Sequence, residues 1–276
     1  MIHIVTDSTV QLTPQEIEDN EITIVPLKVD ISGNTYTDGM TISRSEFSMQ
    51  LKSNHDFPKT SQPSVGDFIK TYEKVSDPQD QILSIHIGSI LSGTVQAAEM
   101  AEQQVKKSVK VIDTGLTDRG LGFVVLKAAQ LARSNYNIDQ IMQQLQLFIK
   151  KIKLHCFVNS IDYLVKGGRA NRAMGFISSL VKLKLELTMP NGQLKLLNKS
   201  RGNKGMKKLV GNLVNKIIED PEVTQVGLSY VDSHVETDTI ESTIKHARPD
   251  INIVNQQTSP TIMTHVGPRG FAIIYL

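Results

Sequence analysis

The chain has 276 residues, of which 39% are apolar and 21% are charged, and its formal net charge is +2. This composition is typical of a globular protein and excludes a disordered or low-complexity chain. The single cysteine, Cys156, excludes an internal disulfide and a zinc site made of cysteines. Because the first residues lack a secretory signal and no apolar run reaches the roughly 20 residues of a membrane helix, we expect a soluble, cytoplasmic protein.

Strands and helices are predicted to alternate through the first half of the chain. The predicted strands are residues 2–5, 22–29, 81–87 and 109–112. Four helices are predicted at residues 43–52, 94–105, 118–133 and 138–151, and two more begin at residue 14 and near residue 65. Thr13 before Pro14, and Ser43 with Glu46, are typical of helix starts. This alternation favours a mostly parallel sheet that is flanked by helices.

The second half has a different pattern. Strands are predicted at residues 156–159, 183–188, 193–198, 225–231, 251–254 and 271–276, and helices at 204–218 and 236–246. Pro190-Asn191-Gly192 separates two of these strands and predicts a hairpin, hence antiparallel pairing. We therefore predict an α/β protein of two domains: residues 1–155 with a mostly parallel sheet, and residues 156–276 with an α+β arrangement around a mixed sheet.

Positive charge is concentrated in residues 150–210. This segment has 14 lysines and arginines and 2 acidic residues, whereas the rest of the chain has 16 basic and 26 acidic residues. Such a segment suggests an anionic partner, namely a phosphorylated ligand, a nucleic acid, an anionic membrane or an acidic protein. A solvated face without a partner is the alternative. Nucleic acid is the weakest candidate, because aromatic residues for base stacking make up 5% of the chain and tryptophan is absent.

The sequence lacks the motifs of the common enzyme classes. It has no G-x-x-x-x-G-K-[ST] nucleotide loop, no G-x-G-x-x-G fingerprint, no G-x-S-x-G nucleophile motif and no H-E-x-x-H metal site. We therefore predict no metal site, no cofactor and no ATP site within this chain.

Residues 87–94 follow an apolar strand and open a helix, a position that favours anion binding through free backbone N–H groups. The Ser92 hydroxyl can donate to a carboxylate there. Gly93 allows a ligand to approach the backbone closely. The alternative is that Ser92 only caps the helix.

Thr60 and Ser61 are a second pair of candidate binding residues. They lie between Pro58 and Pro63, and prolines restrict the backbone, so the two hydroxyls can be held in fixed directions in this loop. Simple solvation of a surface loop is the alternative.

The remaining candidates are Arg169, Arg201 and His265. Arg169 follows two glycines that suggest a tight turn, and its guanidinium is suited to a carboxylate or phosphate. An ordinary turn with an exposed arginine has the same pattern. We place His265 at the end of a strand, where a lone histidine is either a site residue or a structural one.

Five short segments, taken together and in this order, resemble the DegV family of fatty-acid-binding proteins. They are Val5-Thr6-Asp7-Ser8-Thr9, Thr60-Ser61-Gln62-Pro63-Ser64, Leu91-Ser92-Gly93-Thr94, Lys166-Gly167-Gly168-Arg169 and His265-Val266-Gly267-Pro268. Each segment is short, but the ordered set extends over essentially the whole chain. The resemblance implies a two-domain DegV-like fold that buries one long-chain fatty acid in a tunnel at the domain junction.

The resemblance also implies how the acid is held. Its carboxylate is expected at hydroxyls matching Thr60, with Ser61 alongside, and at Ser92 with Gly93. A buried tail gains roughly 0.8 kcal/mol per methylene, so water-insoluble cargo favours a tunnel. Two apolar segments, residues 123–126 and 175–180, are candidates for its walls.

In bacterial fatty-acid kinase systems, such a protein is the acyl-carrier subunit, and a separate ATP-binding subunit phosphorylates the bound acid for phospholipid synthesis. Arg169, Arg201 and His265 match positions at the phosphoryl-transfer end or the kinase-docking surface. Residues 150–210 would then dock on an acidic kinase surface or, transiently, on an anionic membrane. No catalytic residue is expected in this chain.

A serine-dependent acyl hydrolase that uses Ser92 and His265 is the alternative function. It lacks a nucleophile-elbow motif, and no acidic partner for His265 can be named from the sequence.

Overall fold

The computed structural model describes residues 1–53, 57–75, 77, 79–170 and 183–276. In chain order, the strands are β1 (Ile2–Asp7), β2 (Thr23–Val25), β3 (Lys28–Ile31), β4 (Asn34–Thr37), β5 (Lys59–Ser61), β6 (Gln81–His86), β7 (Ser108–Asp113), β8 (Lys153–Val158), β9 (Lys184–Thr188), β10 (Lys195–Ser200), β11 (Gln225–Tyr230), β12 (Asn252–Gln257) and β13 (Phe271–Tyr275). The α-helices are α1 (Pro14–Asp19), α2 (Arg44–Ser53), α3 (Val65–Glu73), α4 (Thr94–Glu102), α5 (Asp118–Arg133), α6 (Ile138–Ile149), α7 (Asp162–Lys166), α8 (Gly202–Glu219), α9 (Val235–Ala247) and α10 (Pro260–Val266). Within the described ranges, no helix has both the length and the apolar character needed to cross a membrane.

The N-terminal half contains the parallel sheet predicted from the sequence. Its strand order is β2-β1-β6-β7, and each neighbouring pair is parallel. Adjacent residues of β6 face opposite sides of the sheet: Ile82 packs with α3 and α4, and Leu83 packs with α5 and α6. Helices therefore cover both faces, which explains why the strands are apolar on both sides.

The C-terminal half contains the predicted mixed sheet, with strand order β10-β9-β8-β13-β11-β12. β11 and β12 pair in parallel, and the other described neighbours are antiparallel. The β9–β10 hairpin turns at Pro190–Gly192, as expected. On β13, Ile273 packs with α8 and α9, whereas Ile274 belongs to the core that contains α5. Because α5 also contacts β1 and β11, it lies between the two large sheets.

A small antiparallel sheet, with order β4-β3-β5, departs from the sequence-based prediction. The single strand predicted at residues 22–29 is two strands, β2 and β3. Pro26 has no N–H for a strand ladder, and Leu27 donates its N–H to Ser8 Oγ at 3.0 Å. After this break, the chain leaves the parallel sheet and β3 starts the small one.

Two other positions differ from the prediction. Thr60 and Ser61 do not lie in a loop but in β5, which pairs with β3 through Thr60 opposite Val29. His265 lies in the last turn of α10 and not at the end of a strand. The signal for this helix is Ser259-Pro260, because the Ser259 side chain accepts the Ile262 N–H and proline suits the first helical turn.

The predicted domain boundary between residues 155 and 156 falls inside β8. The hydrophobic core around α5 also joins the two halves, since it includes Leu83 of the parallel sheet and Ile274 of the mixed sheet. The division into two domains stays a prediction.

Candidate functional site

A largely apolar cavity, here called the central cavity, lies between the two large sheets. About 860 Å³ of its space is free of protein atoms, a volume that includes open solvent at the mouth. Part of its wall is formed by segments that follow the carboxyl ends of the parallel strands, and another part by the inner face of the mixed sheet. Its aliphatic lining includes Leu27, Ile87, Leu91, Leu154, Leu164, Leu187, Met189, Leu194, Ile262, Val266 and Ile274. Ligand crevices in α/β proteins commonly lie at the carboxyl ends of the strands.

Four of the residues predicted from the sequence line this cavity together: Thr60, Ser92, Arg169 and His265. We call this group the polar end. Thr60 Oγ1 and His265 Nε2 are 2.9 Å apart and form a hydrogen bond across 205 residues of sequence. The structure therefore brings together four of the five short segments noted in the sequence, each through one residue.

Ser92 is buried, with 5% of its surface exposed, and its Oγ is 2.8 Å from Thr94 Oγ1. α4 begins at Thr94, and its N-cap residue is Gly93, which makes no side-chain cap. Ser92 therefore does not cap the helix, and it is one of the residues that line the cavity. The missing side chain of Gly93 makes room for Gln62, because a Cβ there would lie 2.1 Å from Gln62 Oε1.

His265 is uncharged at neutral pH. Desolvation in its packed environment, and then the positive charge of Arg169, lower its pKa to about 3. Its Nδ1 has no hydrogen-bond partner among the described residues. That atom faces Gly167, where a Cβ would lie 2.2 Å away, so the glycine provides the space for the ring. A neutral imidazole carries one hydrogen, and Nε2 can either donate to Thr60 or accept from it.

Arg169 holds the segment that carries Ser92. Its Nε donates to the Leu91 carbonyl at 2.9 Å, and its Nη1 donates to the Gly167 carbonyl at 2.7 Å. The guanidinium thus fixes the residue before Ser92 and places a positive charge beside His265.

Ser61 and Arg201 do not reach the cavity. Side chains alternate along a strand, so Ser61 points to the face of β5 opposite Thr60, and it is exposed. Arg201 is the N-cap residue of α8 and is also exposed. It belongs to a group of exposed cations, here called the basic surface, made of Lys199, Arg201, Lys204, Lys207 and Lys208.

One of the segments noted in the sequence, residues 5–9, contributes hydrogen bonds to the cavity wall. Asp7, Ser8 and Thr9 each accept a backbone N–H from a different residue that lines the cavity. Asp7 Oδ2 accepts the Ile87 N–H at 2.9 Å, Ser8 Oγ accepts the Leu27 N–H at 3.0 Å, and the Thr9 carbonyl accepts the Asp118 N–H at 3.1 Å. Ile87, Leu27 and Asp118 all line the cavity. The segment therefore acts on the site through the backbone of its neighbours.

α10, which carries His265, is fixed by a buried carboxyl group. Asp38 accepts hydrogen bonds from the N–H and the hydroxyl of Thr261, at 3.2 and 2.5 Å. Burial raises the pKa of Asp38 to about 6, against the opposing effect of these bonds. No sequence pattern pointed to Asp38, because its partner lies 223 residues away.

Asp118 is a second buried carboxyl group that the sequence did not reveal as a site residue. It accepts hydrogen bonds from Ser229 Oγ and Thr258 Oγ1, both at 2.6 Å, and its φ of 56° lies in the left-handed region. Burial raises its pKa. These bonds tie the start of α5 to β11 and to the segment after β12, so they position the wall between the two sheets.

The hydrolase alternative is not supported. Ser92 Oγ bonds to Thr94 and His265 Nε2 bonds to Thr60, so the hydrogen bonds of the two side chains go to other residues and not to each other. An aspartate–histidine–serine chain does exist elsewhere, since His86 lies between Asp7, at 3.1 Å, and Ser84, at 2.7 Å. All three side chains are fully or almost fully buried, and none lines the cavity, so a substrate has no access to them.

Two predicted wall segments have different outcomes. Residues 175–180 lie outside the described residues. Residues 123–126 belong to α5 and pack in the core, but they do not line the cavity, which corrects that expectation. Among the described residues, no group of three or more histidine, cysteine, aspartate or glutamate side chains is placed to hold a metal ion.

Comparisons with known proteins agree with this fold. The model of the DegV protein family matches residues 1–276. A DegV domain-containing protein of Listeria monocytogenes is 36% identical over 279 residues, which cover 99% of this chain and 98% of the relative.

Two solved structures are similar over almost the whole chain. One is DegV, a fatty acid binding protein from Bacillus subtilis, with a TM-score of 0.92 and 26% identity, covering 99% of this chain and 98% of that one. The other is a DegV family protein from Thermus thermophilus described for its fatty acid binding, with a TM-score of 0.86, 27% identity and the same coverage. These likenesses confirm the predicted fold class.

Proposed function

The chain belongs to the DegV family, and we propose that it binds one long-chain fatty acid in the central cavity, with the carboxylate at the polar end. The observation that carries this proposal is the combination of a mostly aliphatic lining with a polar group, in which Thr60 bonds to His265 and Arg169 bonds to the carbonyl of the residue before Ser92. Asp118, which also lines the cavity, already accepts bonds from Ser229 and Thr258.

The hydroxyl groups of Thr60 and Ser92 are suited to donate to the carboxylate. When His265 Nε2–H donates to Thr60, the Thr60 hydroxyl hydrogen is left for the ligand; Thr94 can serve Ser92 in the same way. Hydrogen bonds to a charged group contribute about 1.5–3 kcal/mol each. The nearby guanidinium of Arg169 adds an attractive charge. Ser61 and Gly93, predicted from the sequence to bind the same group, have less support, because Ser61 is exposed and Gly93 contacts Gln62.

The acyl tail supplies most of the binding energy. Transfer from water gains about 0.8 kcal/mol per buried methylene, which is on the order of 10 kcal/mol for a chain of about 16 carbons. Tail burial of this size would hold the acid without a covalent bond to the protein, which suits a carrier.

We further propose that the protein is the non-enzymatic subunit of a fatty-acid kinase and presents the carboxylate to a separate ATP-binding subunit. The resemblance stated above implies this role, and the lack of a nucleotide loop in the sequence supports it. Arg169 and His265 would then serve the phosphoryl-transfer end. Arg201, which is exposed on the basic surface, would dock on an acidic partner, and the positive charge of the 150–210 segment would favour transient contact with an anionic membrane.

Organic extraction of the purified protein, followed by mass spectrometry, tests the binding proposal. We expect about one fatty acid per chain, released without chemical cleavage. Absence of lipid, together with no uptake of added fatty acid, would contradict it, and a covalent acyl adduct on Ser92 would favour an enzyme instead. Acyl-phosphate formation after addition of a fatty-acid kinase subunit and ATP tests the carrier role separately.

A further inference from the structure

The cavity wall farthest from the polar end is a thin one. The strand register shows where the far end lies. Near the polar end, Gly270 packs against Val266 of α10. Ile274 lies four residues further along the chain, in β13, and pairs with Leu154 at the far end. At about 3.4 Å per residue, these positions are roughly 14 Å apart along the sheet. Met189 follows Thr188, which pairs with His155, so it lies beside Leu154 at this far end.

A second groove lies directly behind this wall. It is bordered by the turn between β9 and β10, by Gly115 and by the exposed side chains of Lys150 and Lys153, so it opens to solvent. Leu154 and Met189 line both this groove and the central cavity. Both side chains are buried, at 5% and 6% exposure, and they form the partition between the two spaces.

The turn beside the partition cannot move closer. Gly115 and Gly192 are in backbone contact, since a Cβ on Gly115 would lie 2.6 Å from the Gly192 Cα. Both have a positive φ, at 62° and 72°, so glycine is required there for conformation as well as for space. Met189 therefore lies between a closely packed turn and the strand that carries Leu154. Its own side chain is unbranched and flexible, so it can adapt to what lies against it.

We propose that Met189, backed by Leu154, is the end wall that sets the longest acyl chain this protein binds. This inference rests on the proposed fatty-acid function and adds a specificity-determining residue to it. Affinity grows about fourfold with each methylene that finds apolar space, and it stops growing when the tail reaches the end wall. Removal of the Met189 side chain joins the cavity to the groove and moves this limit to longer acids.

The experiment uses the full chain, freed of lipid, and a competition assay with straight-chain saturated acids from lauric to lignoceric acid. In Met189→Ala, we expect affinity to keep rising beyond the length at which the wild-type protein levels off, by about fourfold per added methylene. Met189→Phe extends the wall into the cavity and should move the limit to shorter acids, so the idea stays testable with either variant. Met206→Ala is the matched control, because Met206 is equally buried, at 7% exposure, but packs on the opposite face of the sheet.

Three results would overturn the assignment. They are an unchanged length limit in folded Met189→Ala and Met189→Phe, the same shift in Met206→Ala, or loss of all acids at every length in Met189→Ala. A wild-type protein that binds no acid of the series would instead overturn the proposed function itself, so the two failures are distinguishable.

Discussion

Replacement of Thr60 by valine and Ser92 by alanine in one chain should greatly weaken fatty-acid binding while the protein stays folded. Both hydroxyls belong to the polar end, and valine keeps the shape of threonine. Each hydrogen bond to a carboxylate is worth about 1.5–3 kcal/mol. Loss of both should therefore raise the Kd at least about 100-fold, which corresponds to about 3 kcal/mol.

The stability cost should be smaller than the binding cost. Without ligand, the variant loses one bond between Thr60 and His265 and one between Ser92 and Thr94. Neutral hydrogen bonds contribute about 1 kcal/mol each, so a few degrees of Tm is the expected change. Displacement of a fluorescent fatty acid from lipid-free protein gives the Kd, and thermal unfolding of the same sample gives the Tm.

Ser61→Ala is the matched control, because Ser61 is the next residue of β5 and its side chain is exposed. Its Kd should equal that of the wild-type protein. The carboxylate assignment is refuted when the folded double variant binds with wild-type affinity. Equal weakening in Ser61→Ala would show that the hydroxyls of β5 act together and that the strand geometry is not the deciding factor.

The remaining predictions concern docking, charge and the cavity wall. Arg201→Ala should purify with normal lipid but form little acyl phosphate at a low concentration of the kinase subunit, and acyl-phosphate formation should recover when the kinase concentration is raised. If the variant instead loses lipid in proportion to its activity, the residue lies in the cavity. The His265 ring should show no titration by NMR between about pH 5 and pH 8, since its pKa is about 3; a midpoint near the usual histidine value of about 6.5 contradicts the buried neutral state. The folded pKa of Asp38 is raised to about 6 from 3.8, so its contribution to stability is fully present below about pH 4 and is lost as the pH rises through 6. The unfolding free energy of Asp38→Asn relative to wild type should therefore rise by on the order of 3 kcal/mol over this range. A difference that stays constant with pH in denaturant titrations would contradict this prediction. Ser8→Ala should cost about 1–3 kcal/mol in urea unfolding, since it leaves the buried Leu27 N–H without its acceptor; a cost near zero would show that another group replaces it.

Several elements follow from the sequence because their signals are local. The bounds predicted for the helix at residues 118–133 are those of α5, whose apolar positions recur at helical spacing because the helix is buried between two sheets. Pro190-Asn191-Gly192 similarly predicts the β9–β10 hairpin, since turn chemistry restricts only a few consecutive residues.

Other elements depend on partners that are distant in sequence. β5 is three residues long and has no pattern of its own; it is a strand because Thr60 lies opposite Val29. The predicted strand at 22–29 failed for a related reason, since its second half pairs in a different sheet from its first half. α10 had a local signal in Ser259-Pro260, which the sequence-based prediction did not use.

The sequence by itself determined the candidate residues Thr60, Ser92, Arg169 and His265, because a hydroxyl, a guanidinium and an imidazole carry their chemistry wherever they lie. Tertiary structure decided which of them meet: Thr60 reaches His265 across 205 residues, while its neighbour Ser61 faces solvent. It also decided that His265 is neutral, because desolvation and the charge of Arg169 act through space. The cavity itself is the clearest case, since its walls come from both large sheets, and packing between remote segments leaves no periodic mark in the sequence.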